Sequence, residues 1–299
     1  NNMISHGQKW STSSASAIYV NNGNYVDIVN NSLLSRYNNS TSYTLEVIGG
    51  GAINVFNNNI IHSGIGIPVY YDGNANIAQS DNNNIRGAGA SMASVNQRTY
   101  PTLADYQNGS SFGANSVSVD PNFYEPGSIQ GLSDLHVCNN ALDGAGIPIA
   151  AVTEDPDGDL RDSNTPDIGA DEFFGLNNLN IGNDYGICPG DSTMLTYGRG
   201  VAGDIPVWNG TDTSNAITVN TPGVYTIKLI NECGIAQDTI EIIAPATVSL
   251  PNDTTLCAGA SMVADASITN GDTYLWRSSE TTAQKTINAP GTFFVTATD

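Results

Sequence analysis

The stretch Glu154-Asp155-Pro156-Asp157-Gly158-Asp159 places four carboxylates within six residues, a density of oxygen ligands suited to calcium. An EF-hand loop counted from Asp155 would need Gly at its sixth position and Glu at its twelfth. Those positions hold Leu160 and Pro166, so that motif fails. A looser calcium site on Asp155, Asp157 and Asp159 stays open. The competing reading is a β-turn followed by an ion pair, with Arg161 gripping Asp167 or Glu172 through two parallel hydrogen bonds and locking this segment onto the fold. That structural role is the expected one. No cofactor is expected, and calcium is the one metal left open.

Four cysteines offer a second kind of chemistry. No CxxC and no Cys/His cluster has zinc-ligand spacing. Cys188 and Cys233 bracket one repeat unit and are the expected disulfide, which implies an oxidising compartment. Cys138 stands alone and reads as a small buried hydrophobe. Aromatic rings offer a third kind, because flat rings stack on sugar faces. Tyr19, Tyr25 and Tyr70-Tyr71 would line such a strip unless they serve as core or surface ladders, and the residues alone do not decide between these.

The elements that would carry these groups are repetitive. Tyr25-Val26-Asp27-Ile28-Val29-Asn30-Asn31-Ser32-Leu33 aligns with Ala52-Ile53-Asn54-Val55-Phe56-Asn57-Asn58-Asn59-Ile60, and Asp81-Asn82-Asn83-Asn84-Ile85 is a shorter third copy. The leading asparagines fall at 1, 30, 57 and 82, in steps of 29, 27 and 25. Each unit is a short alternating strand, an Asn pair and another apolar pair. A period of this size without helical patterning predicts a β-solenoid, here a right-handed parallel β-helix over residues 1 to about 118. Asn30, Asn57 and Asn82 are expected at tight corners, where Asn tolerates the left-handed conformation and stacked side chains bond from coil to coil. A sandwich with periodic hairpins is the alternative topology. Residues 95 to 118 lose the repeat, with a protruding loop or a helical turn expected around Leu103-Ala104-Asp105-Tyr106.

Polysaccharide lyases and pectin hydrolases use parallel β-helices, but their chemistry is demanding. A lyase needs acids that hold calcium against a uronate, with a cationic base beside it. A hydrolase needs carboxylates flanking the bond. Through residue 118 the permanent cations are Lys9, Arg36, Arg86 and Arg98, at unrelated positions in the repeat, and no Asp-Asp pair is present. His6 and His62 fall near equivalent corners and read as solvated turn residues. Catalysis is therefore not the expected role.

Residues 119 to 174 carry a series of motifs: Val119-Asp120-Pro121-Asn122-Phe123, Asp134-Leu135-His136-Val137, Ala141-Leu142-Asp143-Gly144, Asp157-Gly158-Asp159-Leu160-Arg161 and Asp167-Ile168-Gly169-Ala170-Asp171-Glu172. Their order resembles the C-terminal segment of secreted bacterial β-helix proteins of the choice-of-anchor Q type. Cys138-Asn139-Asn140 departs from that pattern, where Gly-Ser-Pro usually stands. The resemblance covers residues 1 to about 174 and implies the fold and secretion more firmly than any activity.

Residues 176 to 299 form a tandem pair. Cys188 matches Cys257 at an offset of 69, while Trp208, Pro222-Gly223 and Tyr225 match Trp276, Pro290-Gly291 and Phe293 at 68. Cys, Trp and Cys within a short all-β unit suggest Ig-like sandwiches over 176–244 and 245–299, with Trp208 and Trp276 as core residues. The units also resemble compact Ig-like modules of bacterial surface adhesins. The step from Cys188 to Cys233, taken from Cys257, falls beyond Asp299, so the second module is expected to be truncated. The start at Asn1-Asn2-Met3-Ile4, without a basic region or apolar stretch, reads as a cut.

Nine basic and 29 acidic residues give a net charge of −20, which repels phosphate backbones and anionic lipid heads. Nucleic acid is therefore not an expected partner, and no apolar run is long enough to span a bilayer. Charged residues are only 13%, so polarity comes from Asn, Ser, Thr and Gly, as in extracellular β proteins. The expectation is an all-β chain, a parallel β-helix followed by two Ig-like modules, acting as a non-catalytic rod-like segment of a bacterial surface protein. It would contact a polysaccharide or another surface component. The alternatives are a secreted carbohydrate-active enzyme and a structural filament subunit.

Overall fold

The computed structural model describes residues 1–6, 15–124, 134–176, 179–188, 190–198, 203–231, 233–244, 248–268 and 273–298. They fall into two compact units. The first comprises Asn1–Ile181, Thr196–Asn215 and Thr226–Asp238, and the second Gly182–Leu195, Ala216–Tyr225 and Thr239–Asp299.

The first unit opens with a β-solenoid. Its strands are β1 (Asn2–His6), β2 (Ser16–Asn21), β3 (Asn24–Val29), β4 (Asn31–Ser35), β5 (Tyr43–Ile48), β6 (Gly51–Phe56), β7 (Asn59–His62), β8 (Ile67–Tyr71), β9 (Ile77–Asp81), β10 (Asn84–Gly87), β11 (Ala93–Val95) and β12 (Arg98–Tyr100). Three sheets run along it, in the orders β1-β4-β7-β10, β2-β5-β8-β11 and β3-β6-β9, making about three coils. Every pairing between coils is parallel. In the first sheet Asn2 sits opposite Asn31, Ser32 opposite Asn59, and Asn59 opposite Asn84. These steps of 29, 27 and 25 are the spacing of the Asn repeat.

The pleat sends alternate residues inward. Leu33, Ile60 and Ile85 line the interior with Leu45, Val47, Ile53, Val55, Val69 and Tyr71. Burying side chains of this size stabilises by about 1.5–3 kcal/mol each. The residues beyond the last coil cover the end of this core. Strand β12 turns back antiparallel on β11, and α1 (Leu103–Ser110) places Tyr106 against the core. Thr102 starts α1 through a capping box with Asp105. Residues 95 to 118 thus form a hairpin and a helix where the sequence suggested a loop or a helical turn, closing an end that a solenoid would otherwise expose.

Strands β4 and β7 are buried on both faces. Their outward side chains Leu34 and Ile61, with Met3, pack against Phe123, Leu135, Val137, Leu142, Ile168 and Phe173. The described residues of 117–124 and 134–174 therefore lie over the outer face of this sheet, with little regular structure among them. It begins by extending the same sheet, with Val117 bridging Asn84 in parallel. Further on, Gly169 approaches so closely that a Cβ would fall 2.3 Å from Asn59 Nδ2, and its φ of 124° also favours glycine.

The remaining strands are β13 (Tyr185–Gly186), β14 (Thr193–Thr196), β15 (Ile205–Trp208), β16 (Ala216–Val219), β17 (Gly223–Asn231), β18 (Gly234–Ile243), β19 (Met262–Asp265), β20 (Thr273–Trp276), β21 (Gln284–Ile287) and β22 (Val295–Thr298). The tandem repeat persists as hydrogen bonding. Trp208 pairs antiparallel with Ile227, and Trp276 with Val295. Each Trp indole N–H donates to the carbonyl six residues on, of Ser214 and of Thr282. Trp208 and Trp276 are both fully buried, in the core role expected of them. The pairings β14-β16 and β19-β21 repeat likewise.

The expected disulfide does not form. Cys233 does not pair with Cys188, which is exposed and free, as is Cys257. Cys233 is bonded to Cys138, 95 residues earlier, with the Cα atoms 5.2 Å apart. Cys138 is therefore no isolated buried hydrophobe. The N–H of Cys138 is held by Pro121 O, and Cys233 sits in the turn between β17 and β18. Bracketing a repeat unit in sequence did not bring Cys188 to that turn.

Candidate functional site

The expected corner asparagines are where the repeat put them. Asn30, Asn57 and Asn82 have φ of 52°, 54° and 50°. They do not stack on one another, however. Asn57 Nδ2 donates to Ile147 O at 2.6 Å and its Oδ1 accepts the Ile147 N–H at 3.0 Å, while Asn82 Nδ2 donates to Ala145 O. The corners are thus docking points for the covering segment. At Asn30 the buried amide has no hydrogen-bond partner.

Coil-to-coil bonding belongs to the second asparagine of each pair. Asn2 donates to Asn31, Asn31 to Asn58, and Asn58 to Asn83, at 2.8–3.0 Å. The third position adds a shorter ladder, with Asn84 donating to Asn59.

In the covering segment, Asp155 is committed to backbone. Its Oδ1 accepts the N–H groups of Asp157 and Asp159, and its Oδ2 accepts that of Glu172. Asp155, Asp157 and Asp159 therefore form a turn capped by Asp155 rather than three carboxylates converging on one point. Arg161 is buried and bonds Glu172 Oε2 at 3.1 Å. In place of a two-bond grip on Glu172, Arg161 meets only Oε2, and Glu172 Oε1 accepts the Asp162 N–H. The second guanidinium nitrogen donates instead to the carbonyls of Gly169 and Ala170 and to Asn1 Oδ1. Asp167 accepts the N–H groups of Gly144 and Phe173. Burial, and then the charge of Glu172, hold its carboxyl well above the usual range. This cluster locks the segment in place, as expected, through a network centred on Glu172.

The sequence reading missed the neighbouring group around His136. Asp134 accepts both the backbone N–H of His136 and a bond from its ring Nδ1. The ring Nε2 lies 2.6 Å from Asp157 Oδ2. Asp171 is buried beside them and accepts the Val137 N–H at 3.1 Å. Burial opposes the imidazolium, but the bond to Asp157, the charge of Asp171 and the bond to Asp134 together raise its pKa to about 9. Ligand atoms of His136, Asp157 and Asp171 lie within 4.8 Å of one another, so this group, and not the Asp155–Asp159 run, has the geometry to hold a metal ion. Its one sequence signal is Asp134-Leu135-His136, two polar groups on the same side of an extended stretch.

The outer face of the sheet β2-β5-β8 carries a different surface. Tyr19, Glu46 and Tyr70 are opposite one another across three strands. Their inward neighbours Leu45, Val47, Val69 and Tyr71 are in the core, so the row points outward. Tyr43 stacks on Tyr70 with ring centroids 4.5 Å apart. Tyr19 is 53% exposed. The pleat separates Tyr70 from Tyr71, and Tyr25, also exposed, lies on β3 of another sheet.

His62 is not a solvated turn residue. It is buried between Ser42 Oγ and Ser35 O, and burial lowers its pKa to about 4. Among the described residues no helix is long and apolar enough to cross a membrane. No protein-family model and no curated protein matches this chain.

Proposed function

We propose that the chain is an extracellular, non-catalytic segment of a bacterial surface protein, in which the solenoid contacts a polysaccharide and the tandem units, Ig-like in kind, act as spacers. The observation that carries this reading is the outward row Tyr19–Glu46–Tyr70 with Tyr43 stacked beside it. Aromatic faces pack against the apolar faces of sugar rings, and a carboxylate between them accepts hydroxyl protons. Stacking across neighbouring parallel strands presents these groups at about 4.8 Å intervals, suited to an extended polymer bound weakly and repeatedly.

Two further features support the setting. The Cys138–Cys233 disulfide fits an oxidising compartment outside the cytosol. The order of motifs between Val119 and Glu172 supports kinship with secreted proteins of the choice-of-anchor Q type. Incubation with acidic and neutral polysaccharides, read for unsaturated products and new reducing ends, tests the non-catalytic part. The expected result is no product above buffer. Turnover abolished by changing one solenoid acid would establish the enzyme reading instead.

A further inference from the structure

We propose that His136, Asp157 and Asp171 form a zinc-type divalent-cation site that fastens the 155–159 turn to the stretch around His136. The ligand set is one imidazole nitrogen and two carboxylates, with ligand atoms within 4.8 Å of one another. Imidazole suits zinc and its neighbours in the transition series, whereas calcium takes six to eight oxygens. Three protein ligands leave a fourth tetrahedral position for water.

The surroundings are those of a metal-binding histidine. Such a histidine commonly gives its other ring nitrogen to a carboxylate, which fixes the ring and raises its basicity. Asp134 takes that place at Nδ1 and also anchors the His136 backbone N–H, so Nε2 is held facing Asp157, and a bound cation would displace the proton that Nε2 shares with Oδ2. Asp171 is immobilised by burial and by the Val137 N–H. Two ligands of tetrahedral zinc at about 2.0–2.1 Å stand about 3.3 Å apart. The 2.6 Å between Nε2 and Asp157 Oδ2 must therefore widen by about 0.7 Å. Asp157 is exposed on its turn, where such a shift meets little resistance. The three ligands come from stretches without regular structure, so a shared cation would cross-link loops that no strand pairing joins.

The test is equilibrium dialysis of the full chain, stripped with a chelator, against zinc, manganese or calcium chloride, with bound metal measured by atomic emission. A C188S/C257S background removes the two exposed thiols, which would bind zinc themselves. One zinc per chain is expected, undisturbed by a hundredfold excess of calcium. Asp157→Asn should weaken zinc binding at least tenfold. Asp134→Asn, at a residue that touches no metal, should weaken it about ten- to a hundredfold. Cobalt in place of zinc should give visible absorption that Asp157→Asn removes. Less than half an equivalent of zinc, binding unchanged by Asp157→Asn, or equal competition by calcium would each overturn the proposal. His136→Gln should also abolish binding, and if that variant does not fold, Asp157→Asn on the exposed turn decides alone.

Discussion

Asn58 donates its side-chain amide to Asn83 Oδ1 at 3.0 Å, while its own Oδ1 accepts the amide of Asn31 at 2.8 Å. The same Nδ2 also reaches the carbonyls of Ile28 and Phe56, and the Oδ1 accepts the Asn31 backbone N–H. The coils that carry Asn31, Asn58 and Asn83 are thereby bonded to one another through buried groups. Asn58→Ala strips partners from several of them at once, and each buried group left unpaired costs about 1–3 kcal/mol. A loss of about 3 kcal/mol or more is expected in urea denaturation. Half-buried Asn54, which donates to exposed Asp27 across the neighbouring sheet, should cost less than about 1 kcal/mol when changed to Ala.

Arg161 is the buried cation facing Glu172, and removing it leaves that carboxylate uncompensated. Breaking a buried pair from one side costs about 3–5 kcal/mol. Arg161→Met should therefore loosen the segment from 134 to 174, seen as faster amide exchange at Ile168 and Phe173. Exchange at Leu45 and Val47, in the solenoid interior, should change far less.

His62 gives the fold a pH dependence. It is neutral when folded, with a pKa lowered to about 4 against an ordinary 6.5. Between these values the unfolded chain binds the proton and the folded one does not, so stability rises with pH through this window. The contribution of neutral His62 is fully present above about 6.5, and roughly 3 kcal/mol of it is lost as the pH falls to about 4. Denaturation at pH 7 and pH 4.5 should show this loss in the native chain and a smaller one in His62→Gln.

How far the fold was legible depends on the range of the interaction. The steps of 29, 27 and 25 between asparagines are the register of the first sheet, because stacked coils repeat one environment. The left-handed corners at Asn30, Asn57 and Asn82 followed from residue type, since their φ is set locally. Which asparagine in each pair bonds along the stack did not follow, because it depends on the direction each side chain leaves the corner. His62 looked like a surface residue because its burial comes from Ser42 and from Gly66 in the next turn. The group around His136 was hidden because Asp134 and His136 lie more than twenty residues from Asp157, and only the irregular path of the segment joins them.

The cysteines separate the sequence expectation from the structure. Non-reducing peptide mapping after alkylation should recover Cys138 linked to Cys233, with Cys188 and Cys257 alkylated. A Cys188–Cys233 peptide would restore the expected pairing and contradict the fold of this region. Cys138→Ser should cost about 2–4 kcal/mol, as loss of a bridge closing a long loop does.

The outward tyrosine row is the most direct point of attack on the proposed role. Binding of the native chain to a panel of immobilised polysaccharides should be compared with that of Tyr19→Ala/Tyr70→Ala, with folding checked by thermal unfolding. The proposed role predicts binding to at least one polymer that the double variant reduces tenfold or more at unchanged thermal stability. Undiminished binding by the folded double variant, or binding to none of the panel, would contradict it.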